Sequence, residues 1–111
     1  MIEEILWAYL SDMLDVPVYT ERGQIDGAYV VIEKTGGSEE NHLLKSTVAI
    51  QSYAESMYEA AVLNERVKEV MEDVGRLPSV SVANLNSDYN FTDTTTKVYR
   101  YQAVFDVVHF E

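Results

Sequence analysis

The stretch Leu43–Met71, LLKSTVAIQSYAESMYEAAVLNERVKEVM, changes its hydrophobic period part-way along, and that change decides the fold. From Leu43 to Gln51 the residues alternate, with Leu44, Ser46, Val48 and Ile50 set against Leu43, Lys45, Thr47, Ala49 and Gln51. This is the two-residue repeat of a strand. From Ser52 onward the apolar positions are Met57, Ala60, Ala61, Leu63, Val67, Val70 and Met71, followed by Val74. They form a helical stripe, with Glu59, Glu65, Arg66, Lys68, Glu69 and Glu72 on the wet side. Two capping boxes compete for the helix start, Ser52 with Glu55 and Ser56 with Glu59. Gly75 suits the left-handed position just past the helix end, and Pro78 blocks resumption.

Working outward toward the N-terminus, Ala28–Thr35 is short and β-branched, with Val30 and Ile32 on one face, and reads as a strand. It is joined to the Leu43 strand through GGSEEN, Gly36–Asn41, as an antiparallel hairpin with a loop longer than two residues. Ile2, Ile5, Leu6, Tyr9, Leu10 and Met13 recur at helical spacing, with Glu3 and Glu4 in the first turn, where the helix dipole favours acids. This helix stops near Asp15, because Pro17 biases Val16 away from helical geometry. A short extended piece, PVYTE, and a loop, RGQIDG, follow.

Toward the C-terminus, SVSVANLN from Ser79 gives a short strand and Lys97–Phe110 a long one. In the latter Tyr99, Tyr101, Ala103, Phe105 and Val107 share a face, opposite Val98, Arg100, Gln102, Val104, Asp106 and Val108. The polar run Asn86–Lys97 between the two strands is the crest of a hairpin. The expected fold is α+β: one mostly antiparallel sheet of four to five strands, packed on one face by two α-helices, in the order α-(β)-β-β-α-β-β. A chain of 111 residues suits a single domain spanning residues 1–111.

Composition narrows the function classes. With 47% hydrophobic and 24% charged residues the chain is globular, and 8 Tyr with one Trp supply amphipathic aromatic surface as well as core. No apolar run approaches the roughly 20 residues that span a bilayer. Glu3 and Glu4 stand where a signal peptide carries positive charge, so a cytosolic protein with no membrane association is expected. The absence of Cys excludes disulfides and thiolate metal sites. A net charge of -11 repels phosphate backbones and disfavours nucleic-acid binding.

No catalytic motif emerges. Asp88, Asn90 and Thr92 are spaced like the first ligands of a calcium loop, but Asp93 occupies the sharp-turn glycine position and Tyr99 that of the bidentate glutamate. Such residues also favour turns by bonding nearby backbone. His42 and His109 have no metal-ligand spacing, and no serine lies in a nucleophile-elbow context. TGGS, Thr35–Ser38, has neither phosphate-loop pattern, and Glu39 and Glu40 beside it repel phosphate. No catalytic residue, cofactor or metal is expected, so the chain is read as no enzyme. A small acidic metal- or partner-binding module is the alternative from another class.

Two long segments carry a resemblance. VVIEKTGGSEENHLLKSTVAIQSYAESMYEAAVLNERVKEVM and LNSDYNFTDTTTKVYRYQAVFDVVHF resemble small proteins of the head-to-tail and tail clusters of long-tailed phages and Gram-positive prophages, and more narrowly the tail terminator, or tail completion, group. The likeness runs from about Val16 onward. It implies a structural protein that forms a ring, commonly sixfold, caps the tail tube and presents the surface for the head connector. The implied partners are further copies of itself, the tail tube protein and the connector protein. The implied location is the host cytoplasm during assembly, then the head-proximal end of the virion tail. An adaptor or stopper of the same junction is the neighbouring alternative.

The family offers no motif to transfer residue by residue, so interface candidates come from the residues themselves. Ring contacts between identical subunits need two different patches. Glu39, Glu40 and Asn41 in the first loop, and Asp88, Tyr89, Phe91, Asp93 and Thr95 in the second, are the candidates, joined by Arg100 on the exposed side of the last strand. Trp7, beside the main stripe of the first helix, either completes the core or anchors an interface.

Overall fold

The computed structural model describes residues 1–23 and 26–110; Gln24 and Ile25 of the expected RGQIDG loop, and Glu111, lie outside the described residues. The chain runs α1 (Ile2–Met13), β1 (Val18–Tyr19), β2 (Tyr29–Glu40), β3 (Leu43–Ala54), α2 (Met57–Met71), a 3₁₀ turn (Val74–Arg76), β4 (Val80–Asn90) and β5 (Tyr99–His109). One five-stranded sheet has the order β1-β2-β3-β5-β4, antiparallel except for the parallel β1–β2 pair. The expected α+β architecture and element order hold.

Both helices lie on one face. Val30 and Ile32 of β2, Val48 and Ile50 of β3, and Ala103, Phe105 and Val107 of β5 pack there against Ile2, Leu6, Tyr9 and Leu10 of α1 and Ala60, Leu63, Val67, Val70 and Met71 of α2. Each large apolar side chain so buried contributes about 1.5–3 kcal/mol. The competition between caps is settled in favour of Ser56, whose hydroxyl accepts the Glu59 N–H at 3.1 Å. Ser52 remains in β3, fully buried. α1 stops at Met13, two residues before Asp15, with Leu14 already extended (φ -99°, ψ 151°) and the Pro17 carbonyl accepting from Val30 N–H at 2.9 Å. The Tyr9 hydroxyl ties the two helices together by donating to the Val70 carbonyl at 2.7 Å.

Local expectations at both hairpins and just past α2 need correction. GGSEEN is mostly strand: β2 continues through Glu40, and only Asn41 and His42 form the turn. Both turn residues have positive φ (53° and 68°), the geometry of the tight two-residue hairpin whose twist matches its strands. Gly36 and Gly37 follow an irregularity at Thr35, and a Cβ on Gly37 would meet Lys34 Cε at 3.0 Å. These glycines thus serve a bulge and a close approach inside a strand. At the other end of the sheet, β4 runs to Asn90, so Asp88 and Tyr89 are strand residues and the crest shrinks to Phe91–Val98, drawn in by an Asp93–Val98 bridge. Lys97 takes φ 56° in that crest, and the last strand begins at Tyr99.

Gly75 does not adopt the left-handed conformation. It lies inside the 3₁₀ turn, where Arg76 N–H bonds Asp73 O at 3.2 Å and Leu77 N–H bonds Val74 O at 3.1 Å. Val74, 1% exposed, is pulled into the core, and its burial keeps the chain coiled past the end of α2.

Candidate functional site

The face of the sheet away from the helices carries two ordered rows of side chains. The register places Tyr53 opposite Arg100, Gln51 opposite Gln102, and Gln102 opposite Tyr89, so all five point to this open face. Across β2, β3 and β5 the Tyr29 and Tyr53 rings stack at 4.6 Å, and Arg22 and Arg100 each place a guanidinium over Tyr53, at 5.6 and 5.8 Å. Arg100 also lies 4.3 Å from the centre of the Phe91 ring, and its Nε–H donates to Phe91 O at 2.8 Å. Tyr89 meets Phe91 edge-on at 5.9 Å.

The second row is a chain of hydrogen bonds. Tyr53 hydroxyl donates to Gln51 Oε1 at 3.1 Å, Gln51 Nε2 to Gln102 Oε1 at 2.8 Å, and Gln102 Nε2 to the Tyr89 hydroxyl. Tyr29 and Tyr53 are buried and Gln102 nearly so, whereas Tyr89 and Phe91 stay 42% and 39% exposed. Burial raises the Tyr29 phenol pKa, reinforced by Tyr53 and opposed by Arg22. The row thus has a buried, desolvated end at β2–β3 and an accessible aromatic end at β4.

The crest is held by its own side chains. Asp93 Oδ1 accepts the N–H of Thr95 at 3.0 Å and of Thr96 at 3.3 Å; bonds from Thr96, then from Thr95, keep its carboxyl below the usual range. Thr92 Oγ1 accepts Arg100 N–H at 3.1 Å. Asp88 takes a different direction. It sits on the helix face, where Oδ1 accepts from Asn64 Nδ2 and Oδ2 from Lys68 Nζ, each at 2.7 Å. Lys68 also reaches Glu65 at 2.8 Å. The Lys68 ammonium, working against partial burial and with the Asn64 amide, lowers the Asp88 pKa, while Asp88 and then Glu65 raise that of Lys68.

Of the sequence candidates, the structure gathers Tyr89, Phe91 and Arg100 into one cluster, with Asp93 and Thr95 on the crest just beyond it. Glu39, Glu40 and Asn41 lie at the opposite end of the sheet, on the arm made by the β2–β3 hairpin, where Lys45 pairs loosely with Glu40 at 3.6 Å. Trp7 is 44% exposed on α1, its indole N–H donating to Val18 O at 2.9 Å. Asp88 is turned toward α2, away from this cluster.

Scans against protein-family models and against curated proteins return no match for this chain. The surface must speak through its own chemistry. Asp88, Asn90 and Thr92, alternate in sequence, do not converge: the Asp88 carboxylate is held by Lys68 and Asn64, and Asn90 Oδ1 accepts Thr92 N–H at 3.0 Å. Among the described residues no group of three or more His, Asp or Glu side chains is arranged to hold a metal ion. No helix among them is long and apolar enough to cross a membrane. His109, buried, is hydrogen-bonded to Ser46 across β3 and β5 at 2.8 Å, a satisfied polar pair inside the fold.

Tyr53, Gln51 and Arg22 were not singled out by their residue type. Their signal was positional: Gln51 alternates onto the face opposite Ile50, and Tyr53 falls in line once β3 is extended past Ser52. Arg22 joins the row only through the path of the β1–β2 connection.

Proposed function

We propose that this chain is a structural protein of a phage or prophage head-to-tail junction, acting in the tail terminator or tail completion role as one subunit of a ring. The observation that carries the reading is the placement of two unlike exposed patches at opposite ends of one sheet. The arm carries Glu39, Glu40 and Asn41; the β4–β5 end carries Tyr89, Phe91 and the crest. Head-to-tail closure requires two such patches, since each subunit offers one to the neighbour before it and the other to the neighbour after it. The resemblance of the two long sequence segments supplies the biological setting.

In this reading the subunit works by contact alone. Tyr89 and Phe91 give apolar area at small entropic cost, and Arg100 braces them, the residue chemistry that concentrates binding energy at interfaces. The partners are neighbouring copies, the tail tube protein and the head connector protein, and the assembled location is the head-proximal end of the tail. A strongly negative ring does not hold the phosphates of DNA passing through it.

Complementation of a phage lacking the gene tests the proposal. Loss of the gene gives overlong or unjoined tails, and loss of a stopper would instead give heads that leak DNA. The double variant Tyr89→Ala, Phe91→Ala lowers the yield of joined particles at least tenfold, a factor worth about 1.4 kcal/mol, while the purified chain stays folded. Normal yield from that variant, or label at the distal tail tip, refutes it.

A further inference from the structure

β4 is the last strand on its side of the sheet, and no strand lies outside it among the described residues. Phe91 N–H bonds Arg100 O, so the even-numbered residues of β5 bond toward β4, and the β4 residues opposite them bond inward. Ala83 and Leu85 pair instead with Val107 and Phe105, so they turn their N–H and C=O outward and keep their side chains on the helix face. Bulges at Ser81 and Asn86 bound this regular stretch, which leaves room for a short strand only.

A cleft of about 410 Å³ runs between this edge and the flank of α2. Ala83 and the exposed Leu85 floor it over buried Phe105 and Met71, and α2 supplies its charged side. That charge is one-sided. Lys68 is shared between Glu65 at 2.8 Å and Asp88 at 2.7 Å, Arg66 is held by Glu69 at 2.7 Å, and Glu72 pairs with no cation among the described residues. Glu65, Glu69, Glu72 and Asp88 thus meet only Lys68 and Arg66, while Arg76 is turned away onto the Tyr9 ring at 5.8 Å. An open edge is a template for another strand, and the charges beside it select which strand enters. Two copies joined through β4 would set their α2 glutamates against each other across the seam, so a second copy is the wrong occupant.

We propose that the outer edge of β4 takes up an antiparallel strand from a different protein, in which Lys or Arg alternates with apolar residues. Its residues opposite Ala83 and Leu85 share the helix face, and the cations stand there: their aliphatic stems lie along Leu85 and their charged heads meet Glu69 and Glu72. The apolar residues between them fall on the open face beside Val82, which is exposed. Such an edge works with or without a ring, so a failed complementation leaves this site untouched.

The full chain is titrated with a blocked hexapeptide of alternating lysine and valine, with the same residues in two blocks, and with the alternating glutamate–valine counterpart, while amide exchange at Ala83 and Leu85 is followed by NMR. The alternating lysine peptide slows both amides; the block peptide and the glutamate peptide slow neither. Leu85→Pro removes an outward N–H, keeps the bonds to β5 and abolishes the response at Ala83. The variant Glu69→Gln, Glu72→Gln, both positions exposed, weakens the alternating lysine peptide about tenfold. Unprotected amides at millimolar alternating lysine peptide, equal protection by the block peptide, full affinity in the glutamine variant, or peptide-free self-association that protects the same amides overturns the proposal.

Discussion

Removing the Asp88 carboxylate tests how α2 is fastened to the edge of the sheet. Asn64 is 1% exposed, and its amide nitrogen has Asp88 Oδ1 as its acceptor at 2.7 Å. Asp88→Ala strands that buried donor, at a cost of about 1–3 kcal/mol. It also breaks the Lys68 bridge, whose side chains are 20% and 26% exposed; because Glu65 still engages Lys68, that part adds no more than about 1 kcal/mol. The expected total is about 1–4 kcal/mol, and its middle corresponds to a fall of about 10 °C in Tm for a chain of this length. Asp88→Asn keeps an acceptor for Asn64 and forfeits only the charge, so it costs about 1 kcal/mol or less. Urea denaturation of both variants at neutral pH reads the difference.

Acidity supplies a second check. Asp88 has a folded pKa below its ordinary 3.8, so its contribution is complete above that value and is lost as pH falls through the lowered one. Lys68 is held above its ordinary 10.5, so its share is complete below that value and is lost as pH rises through the raised one. The deficit of Asp88→Ala is flat from about pH 5 to pH 9 and its charge-dependent part shrinks in strong acid. An Asp88→Ala deficit under about 1 kcal/mol, or equal deficits for the Ala and Asn variants, refutes the claim that the buried amide sets the cost.

Two further substitutions probe the fold. His42 holds a left-handed conformation, φ 68°, at the second position of the hairpin turn; His42→Gly raises stability by about 0.5–1 kcal/mol in urea denaturation, and a loss would show that the His side chain matters more than its backbone strain. Ser52 Oγ is fully buried with no hydrogen-bond partner, so Ser52→Ala is neutral or stabilising by up to about 1 kcal/mol; clear destabilisation of the purified variant would count against that assignment.

The sequence was most legible where one face is buried. The alternation of Val48 and Ile50, then the stripe of Leu63, Val67 and Val70, reports a demand of the core that no local preference overrides. It was least legible where glycine and polar residues pointed to turns. Gly36, Gly37, Glu39 and Glu40 have the composition of a loop, yet pairing with Leu43–Thr47 and the tolerance of Asn41 and His42 for positive φ carry the strand to the tip. Asn86–Asn90 likewise has the composition of a loop and is strand: Asn86 bonds across to Asp106 and Asp88 to Asn64 of α2, which makes an amide and an acid good strand residues here. Tyr89, Phe91 and Arg100 were recognisable as candidates, but Tyr53 and Gln51 required the register, which is a long-range property.

The amide chain from Tyr53 through Gln51 and Gln102 to Tyr89 has a consequence for how the sheet finds its alignment. A slip of one residue between β3, β5 and β4 would turn every member of that chain toward the core, where its polar atoms would lose their mates and gain no solvent. The hydrophobic side penalises the same slip by expelling Ile50 and Phe105. Correct alignment is thereby encoded twice, on both surfaces of the three strands, and a misthreaded intermediate has no face on which to hide its error.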